Sequence, residues 1–564
     1  MKIMKTKIIH LIIIIALTSF GCSKLDLNPL DGPSSASFYS NQNELELSVN
    51  DLYRLDFWSN DNDLFTDDFW HRAQLGNAVT FGTMNADDGT ANTLWTNAYR
   101  AISRVNTFIA NKDKALANTS ATVIKVYEAE MRLIRAYQYS RLVTHFGDVP
   151  LIKEPITLEE SYKVTRTDKE EILVFVFEDF DYAAANLPTI YTGTQTKRLT
   201  KGAALALKAR TALYAGKWSV ARDAANAVIQ MGASVYDLNP SYRDLFLKAG
   251  ETSKELIISI PRDQTQQVFN GSAYVQDFIP RNATGFGAQI PTRDIFDSYE
   301  CIDGKPIDES PLYDPKKPFA NRDPRLTANI VEFSTQWLGY SYQPHPDSLT
   351  VFSSKTGTRV RNNDTRAIAQ FASFTGFLWK KGIDQSWFDR LAEDNDRIIF
   401  RFAEILLIYA EAKIELGEID ESVLNAINRV RARGYGVAVT ATSSYPAITT
   451  VNAAELRKIV RRERRVEFVL EGLRYMDLIR WKLAEKALTR PVIGLPDPAG
   501  QNRSKWPFPG VTPIDDDGIP DYSGFGNDVK ILAQRNFEKN RQYLWPIPNV
   551  DRLQNPGLTQ NPNY

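Results

Sequence analysis

Apolar residues recur at helical spacing in several separate stretches of this 564-residue chain. Between Thr122 and Phe146, the positions Val126, Ala129, Leu133, Ala136 and Val143 fall on one helical face, and Gly147 ends the run. Ala98 to Ile109 predicts a shorter helix. Within residues 201–232 the pattern doubles. Ala203, Ala206, Ala209 and Leu213 form one stripe, Gly216 interrupts it, and Trp218, Ala221, Ala225 and Val228 form a second. Small side chains let two antiparallel helices approach closely, so this segment predicts a tetratricopeptide-type helix pair. A second pair is predicted over residues 402–434. Ile405, Tyr409, Ala412 and Leu416 stripe its first helix, Gly417 ends it, and Val423, Ile427 and Val430 stripe the next. The pairs lie too far apart for a regular array. The expected fold class is mainly α, a scaffold of helix pairs carrying long insertions.

Between these stretches the periodicity stops. Residues 234–395 and 486–536 are rich in Pro, Gly, Asn and Asp, with short strand candidates such as Glu255–Ile260. Irregular segments on a rigid scaffold are where binding sites concentrate. The first residues follow a different plan. Lys2, Lys5 and Lys7 precede an apolar run from Ile8 to Leu17, broken by His10, and small residues lead to Cys22. That is the layout of a secretory signal over residues 1–21. The apolar run is too short for a membrane-spanning helix, which takes about 20 residues. Cys22 resembles the acylated cysteine of a bacterial lipoprotein signal. Residues 22–40 read as an extended tether, with Pro29, Gly32, Pro33 and several serines.

Charge and composition narrow the function. Lys and Arg number 67 against 68 Asp and Glu, so the basic footprint of a nucleic-acid binder is missing. With Cys22 carrying lipid, Cys301 has no disulfide partner and reads as a buried thiol. His71, His145 and His345 are far apart and fit no zinc spacing. His145 ends a striped helix and reads as a packed or capping residue. Neither a nucleophile elbow nor a phosphate-binding glycine loop occurs, and no cofactor motif is present. Asp515, Asp517 and Asp521 surround Gly518 but lack the complete calcium-loop pattern, so a solvated acidic turn is the simpler reading. In Arg461–Glu471, arginines interleave with Glu463, Glu467 and Glu471 at helical spacings, which predicts intrahelical ion pairs.

Several segments, in order, resemble the SusD/RagB outer-membrane lipoproteins of Bacteroidetes. They are LDLNP after Cys22, SFYSNQNELELSVNDLY, TLWTNAYRAISRVNTFI, RAYQYSRLVTHFGDVPLI, RLTKGAALALKARTALYAGKW, PTRDIFDSYECIDG with NRDPRL, RFAEILLIYAEAKIELGE, RRERRVEFVLEGLRYMDLIRW and the closing YLWPIPNVDRLQNPGLTQNPNY. The resemblance covers nearly all of the chain after Cys22. It implies a tetratricopeptide-like helical part over 41–233, then a part over 234–564 that is loop-rich at 234–395 and 486–536 and helical at 396–485, in one body. It also implies a lipid-anchored protein of the cell outer membrane facing the exterior. Such a protein binds an oligomeric nutrient, usually a glycan, and passes it to a SusC-like TonB-dependent transporter.

Sugar rings present apolar C–H faces to flat aromatic side chains, while amides, carboxylates and arginines bond the hydroxyls. The candidate ligand residues are therefore aromatics in polar, unperiodic context. Trp58, Phe69 and Trp70 are interleaved with Asn60, Asp68, His71 and Arg72, and the resemblance places this loop on the ligand face. Tyr274, Phe278 and Phe286 lie in a second such stretch, Trp337 and Tyr340 in a third. As a sugar platform, Trp70 is expected to be exposed and close to an aromatic of the other two stretches. Trp95 is assigned to the core. Peptide capture through a groove of backbone hydrogen bonds is the alternative binding role. A surface glycosidase would need two carboxylates facing each other across a cleft.

Overall fold

The structure, a computed structural model, describes residues 38–58, 62–72, 77–496 and 503–564. The expected signal 1–21, Cys22, the tether up to residue 37 and Asn60 lie outside the described residues.

A run of helices forms the scaffold: α1 (Gln42–Asn50), α2 (Gly89–Asn111), α3 (Ala121–Phe146), α4 (Lys169–Asn186), α5 (Lys201–Tyr214) and α6 (Trp218–Ile229). From α2 to α6 each packs on the next. The series continues, after the long insertion, into α7 (Phe402–Leu416), which packs on α6, and α8 (Glu421–Gly434), which packs on α7. Both predicted pairs are therefore found, and they lie side by side. Ala206, Ala209 and Leu213 are fully buried, as the stripe requires. Local signals set the ends. The side chains of Asp88, Ser120, Thr200 and Asp420 accept hydrogen bonds from the free N–H groups of the first turns of α2, α3, α5 and α8. Gly417 ends α7 in the left-handed region at φ +73°. Helix α2 begins nine residues before the expected Ala98: Asp88 caps it at Gly89, and Ala91, Leu94 and Trp95 extend its buried stripe toward the N-terminus.

Strands are short. They include β1 (Phe69–His71), β2 (Leu256–Ile260), β3 (Gln289–Pro291) and β4 (Arg397–Arg401), with β1 antiparallel to β3 and β2 antiparallel to β4. A four-stranded antiparallel meander lies within residues 336–361. The helices share one large apolar core. The loop-rich part has its own, built on Phe69, Trp70, Phe278, Phe296, Trp337, Trp379 and Trp387. The end of the chain closes on α3: Trp545 N–H donates to His145 O at 2.6 Å, and Asn561 Nδ2 donates to Phe146 O at 2.9 Å. Burial pulls the pKa of His145 down to about 4, so it packs as a neutral ring against Trp545. Cys301 and Trp95 are buried as expected.

The basic stretch after residue 460 differs from its expected role. It occupies α9 (Ala453–Glu467) and the turn leading to α10 (Arg474–Arg480), yet its ion pairs reach other elements. Glu463 pairs with Arg325 at 2.6 Å and with Arg431 at 2.9 Å. Glu467 pairs with Arg325 at 2.9 Å, with Arg401 at 2.7 Å and with Arg433. Arg464 pairs with Asp477 at 2.9 Å, and Glu471 with Arg401 and Lys381 at 2.6 Å each. From Glu463 onward the helix is buried, so its charges there take partners from the elements packed against them rather than from an exposed face of their own. In the acidic turn, Lys486 binds Asp515 at 2.8 Å and Asp517 at 2.7 Å, and Arg490 binds Asp521 at 3.2 Å.

Candidate ligand cleft

A cleft of about 360 Å³ opens where β1, the short helices Ser272–Phe278 and Gln385–Arg390, β4 and the turn after α9 converge. Tyr274, Phe278 and Trp387 line it as a three-ring cluster. Ring centroids lie 4.9 Å apart for Tyr274–Phe278, and 6.1 Å apart for both Tyr274–Trp387 and Phe278–Trp387. Phe69 contributes from β1. Polar groups share the lining: Asp63, Gln289, Lys381, Asn395, Arg397 and Glu471, with the Arg262–Glu393 pair at 2.6 Å.

These polar groups are held in place by the backbone around them. Asp63 Oδ2 accepts from Gly472 N–H at 2.9 Å. Lys381 Nζ donates to Val469 O at 2.7 Å and to Glu471 Oε1 at 2.6 Å. Asn395 Nδ2 donates to Phe246 O at 3.2 Å and to Gly382 O at 3.1 Å. Burial pushes the Asp63 carboxyl up to about 7, against the pull of Arg397 and of the Gly472 N–H. Burial also brings the Lys381 amine down to about 8, with the Glu471 carboxylate opposing it and the Arg401 cation adding to it. Both groups thus change charge close to neutral pH. The lining can stack on an apolar face and both donate to and accept from hydroxyls.

The expected site residues divide. Tyr274 and Phe69 line the cleft. His71 and Arg72 follow Phe69 in the chain but are not among the lining residues, and His71 Nε2 lies 3.3 Å from Asp277 Oδ2. Phe286 is 42% exposed beside Arg72, whose Nη1 donates to Phe286 O at 2.9 Å. The others are interior. Trp58 is fully buried, stacks on Tyr137 at 4.7 Å and donates Nε1–H to Leu52 O. Asp68 is buried against Arg465, whose Nε donates to it at 2.9 Å. Trp337 is 6% exposed. Trp70, expected to be exposed, is only 6% exposed and packs against Phe374 at 5.8 Å. The reason is β1. Its pairing with β3 sets Phe69 against Trp379 and Trp70 against Phe374, so both faces of the strand are covered. Asp63, Lys381, Trp387, Asn395 and Arg397 were not singled out by sequence. The faint signal was Trp387, a tryptophan in the polar run GIDQSWFDR.

Residues 254–564 match the family model described as the SusD family. The chain belongs to that family. Residues 33–213 match a second SusD-like model, described as starch-binding associating with outer membrane. SusD-like protein P2 of Formosa agariphila is 26% identical over 582 aligned residues, covering 98% of each chain. The crystal structure of a SusD-like carbohydrate binding protein from Bacteroides fragilis NCTC 9343 is similar with a TM-score of 0.78 and 28% identity, over 93% of this chain and 100% of that one. A laminarin binding SusD-like protein shares the fold at a TM-score of 0.65 and 20% identity, over 93% and 100% of the two chains. The mainly helical architecture is thus the SusD one, and the cleft is lined mostly by the part that matches the SusD family model, with Asp63, Leu64 and Phe69 coming from the part that matches the second model.

Proposed function

We propose that this SusD-family protein is a lipoprotein of the outer membrane, anchored through Cys22 and facing outward. It binds an oligomeric glycan in the cleft and hands it to a SusC-like TonB-dependent transporter, without turning the glycan over. The observation that carries the reading is the cleft itself, in which the Tyr274–Phe278–Trp387 ring cluster shares one lining with Asp63, Gln289, Asn395 and Arg397. Rings suit the C–H faces of sugars, and the polar groups suit their hydroxyls. Carbohydrate binding by the B. fragilis relative supports the same ligand class. The signal-like start that ends at Cys22 supports attachment through an acylated cysteine.

The test is calorimetry of the protein against a panel of neutral and acidic oligosaccharides and peptides, with product analysis of each mixture. Saturable glycan binding without hydrolysis is expected. Binding of peptides alone, or release of shorter sugars, would overturn the reading. Fractionation of cells carrying Cys22→Ala tests the anchor: the variant is expected to leave the membrane fraction.

A further inference from the structure

Next to the cleft, three arginines gather round exposed aromatic rings. Arg72 directly follows β1. Its backbone N–H donates to Ala288 O at 2.9 Å, and its Nη1 donates to the carbonyls of both Phe286 and Phe371. Its guanidinium carbon lies 5.5 Å from the Phe371 ring centroid and 5.8 Å from that of Phe374. Arg366 sits over the same Phe374 ring at 4.0 Å. Arg281 is the third. Asp364 Oδ1 accepts from its backbone N–H at 2.7 Å, but its buried Nε has no hydrogen-bond partner among the described residues. Among the described residues, neither the Arg72 nor the Arg281 guanidinium has a carboxylate within 4.0 Å. The nearby acid, Asp277, lies 3.3 Å from His71 and 3.4 Å from Gln289, and it also attracts the Arg72 charge. Burial lowers the pKa of Arg72, repulsion from Arg281 and, less, from Arg366 adds to it, and the Asp277 carboxylate opposes it. The rings beside it face solvent: Phe286 is 42% and Phe371 52% exposed.

We propose that this rim is a subsite for an anionic substituent, a carboxylate or a sulfate ester, on the glycan bound in the adjoining cleft. A guanidinium fork bonds such a group through parallel N–H donors, and a lysine could not supply the same geometry. Phe286 and Phe371 offer flat apolar faces on which the sugar bearing the anion would stack. Continuity with the cleft comes through the β1–β3 ribbon, where cleft-lining Gln289 pairs with His71, the neighbour of Arg72. The inference rests on the glycan reading and names the ligand class within it.

The test compares three ligand sets of equal length by calorimetry: oligogalacturonates, sulfated galactan oligosaccharides and neutral laminari-oligosaccharides. The first two sets separate a carboxylate from a sulfate. At least one acidic set is expected to bind about tenfold tighter than the neutral one, with affinity falling as salt rises. Arg72→Gln and Arg281→Gln should each remove most of that preference and flatten the salt dependence. Arg222→Gln, which removes a positive charge remote from the rim, should do neither. Neutral oligosaccharides binding as well as both acidic sets would overturn the subsite and leave the glycan reading standing. Absence of all glycan binding would overturn both. The wild-type preference decides even if an arginine variant fails to fold.

Discussion

Arg474 grips Asp67 with two parallel bonds, Nε to Oδ1 at 3.0 Å and Nη2 to Oδ2 at 2.9 Å, across 407 positions of sequence. Arg465 adds a bond to Asp67 Oδ2 at 2.8 Å, and Arg535 donates to the Asp67 carbonyl at 3.0 Å. Segment 62–72 supplies Asp63 and Phe69 to the cleft and Arg72 to its rim. It is therefore positioned by cations from the far end of the chain. Burial alone would push the Asp67 carboxyl up, but the guanidiniums of Arg465 and Arg474 outweigh it and hold the group well below the usual carboxylate range.

Asp67→Asn should consequently destabilise the protein by about 3–5 kcal/mol, because it leaves two buried guanidiniums short of their counter-charge. Arg474→Lys keeps the charge and loses the fork, and should cost less. Urea denaturation of the two variants beside wild type reads both losses. Equal stability of Asp67→Asn and wild type would mean that the cluster is open to water.

Trp70→Ala should unsettle the fold rather than the ligand site. A buried tryptophan replaced by alanine costs about 3–5 kcal/mol, and Trp70 joins the second core through Phe374. A lower melting temperature is the expected readout. Unchanged stability with weakened glycan binding would instead return the ring to the ligand surface.

The contrast between Trp70 and Ala209 marks what a sequence can disclose. Ala209 lies in a stripe repeated over several helical turns, so its burial was legible from spacing alone. Trp70 lies in a three-residue strand covered on both faces, too short for alternation to register, and its polar neighbours suggested exposure. The ion pairs of α9 were hidden for another reason. Arg401 and Glu467 are 66 positions apart, and only the packing of α9 against distant segments makes them partners. In the cleft, Tyr274 could be read as an aromatic in loop context. Asp63 and Lys381 could not, because isolated charged residues gain their character from burial.

Asp63 predicts a specific pH dependence. Its carboxyl titrates at about 7 in the folded protein against 3.8 for an unperturbed aspartate. Between those values the folded state holds a proton that the unfolded chain has released. The stability from this group is complete below about pH 4 and is lost as pH rises through 7. Asp63→Asn should flatten that part of the profile, by about 1–3 kcal/mol between pH 5 and 8. Asp294 and Asp364, both near 6, titrate in the same window, so the difference between variant and wild type is the readout rather than either curve. Lys381, lowered from 10.5 to about 8, acts mainly above the window. Parallel profiles for the two proteins would place the Asp63 carboxylate in ordinary solvent.

Tyr274 gives the sharpest test of the cleft. Its ring is only half-buried, it stands in the three-ring cluster, and the scaffold helices do not depend on it. If a sugar ring stacks there, Tyr274→Ala should weaken glycan binding by about 1–3 kcal/mol, scaled from aromatic stacking on nucleic-acid bases. Its melting temperature should stay close to that of wild type. Tyr274→Phe separates the two contributions of the side chain: retained affinity assigns the effect to the ring face, and a loss matching alanine assigns it to the hydroxyl. Trp387→Ala is a poorer probe, because that ring is 6% exposed and its loss would also open the core. Undiminished glycan affinity in Tyr274→Ala, with the fold intact, would move the binding site away from this cleft. Calorimetry and thermal melts on the same samples distinguish these outcomes.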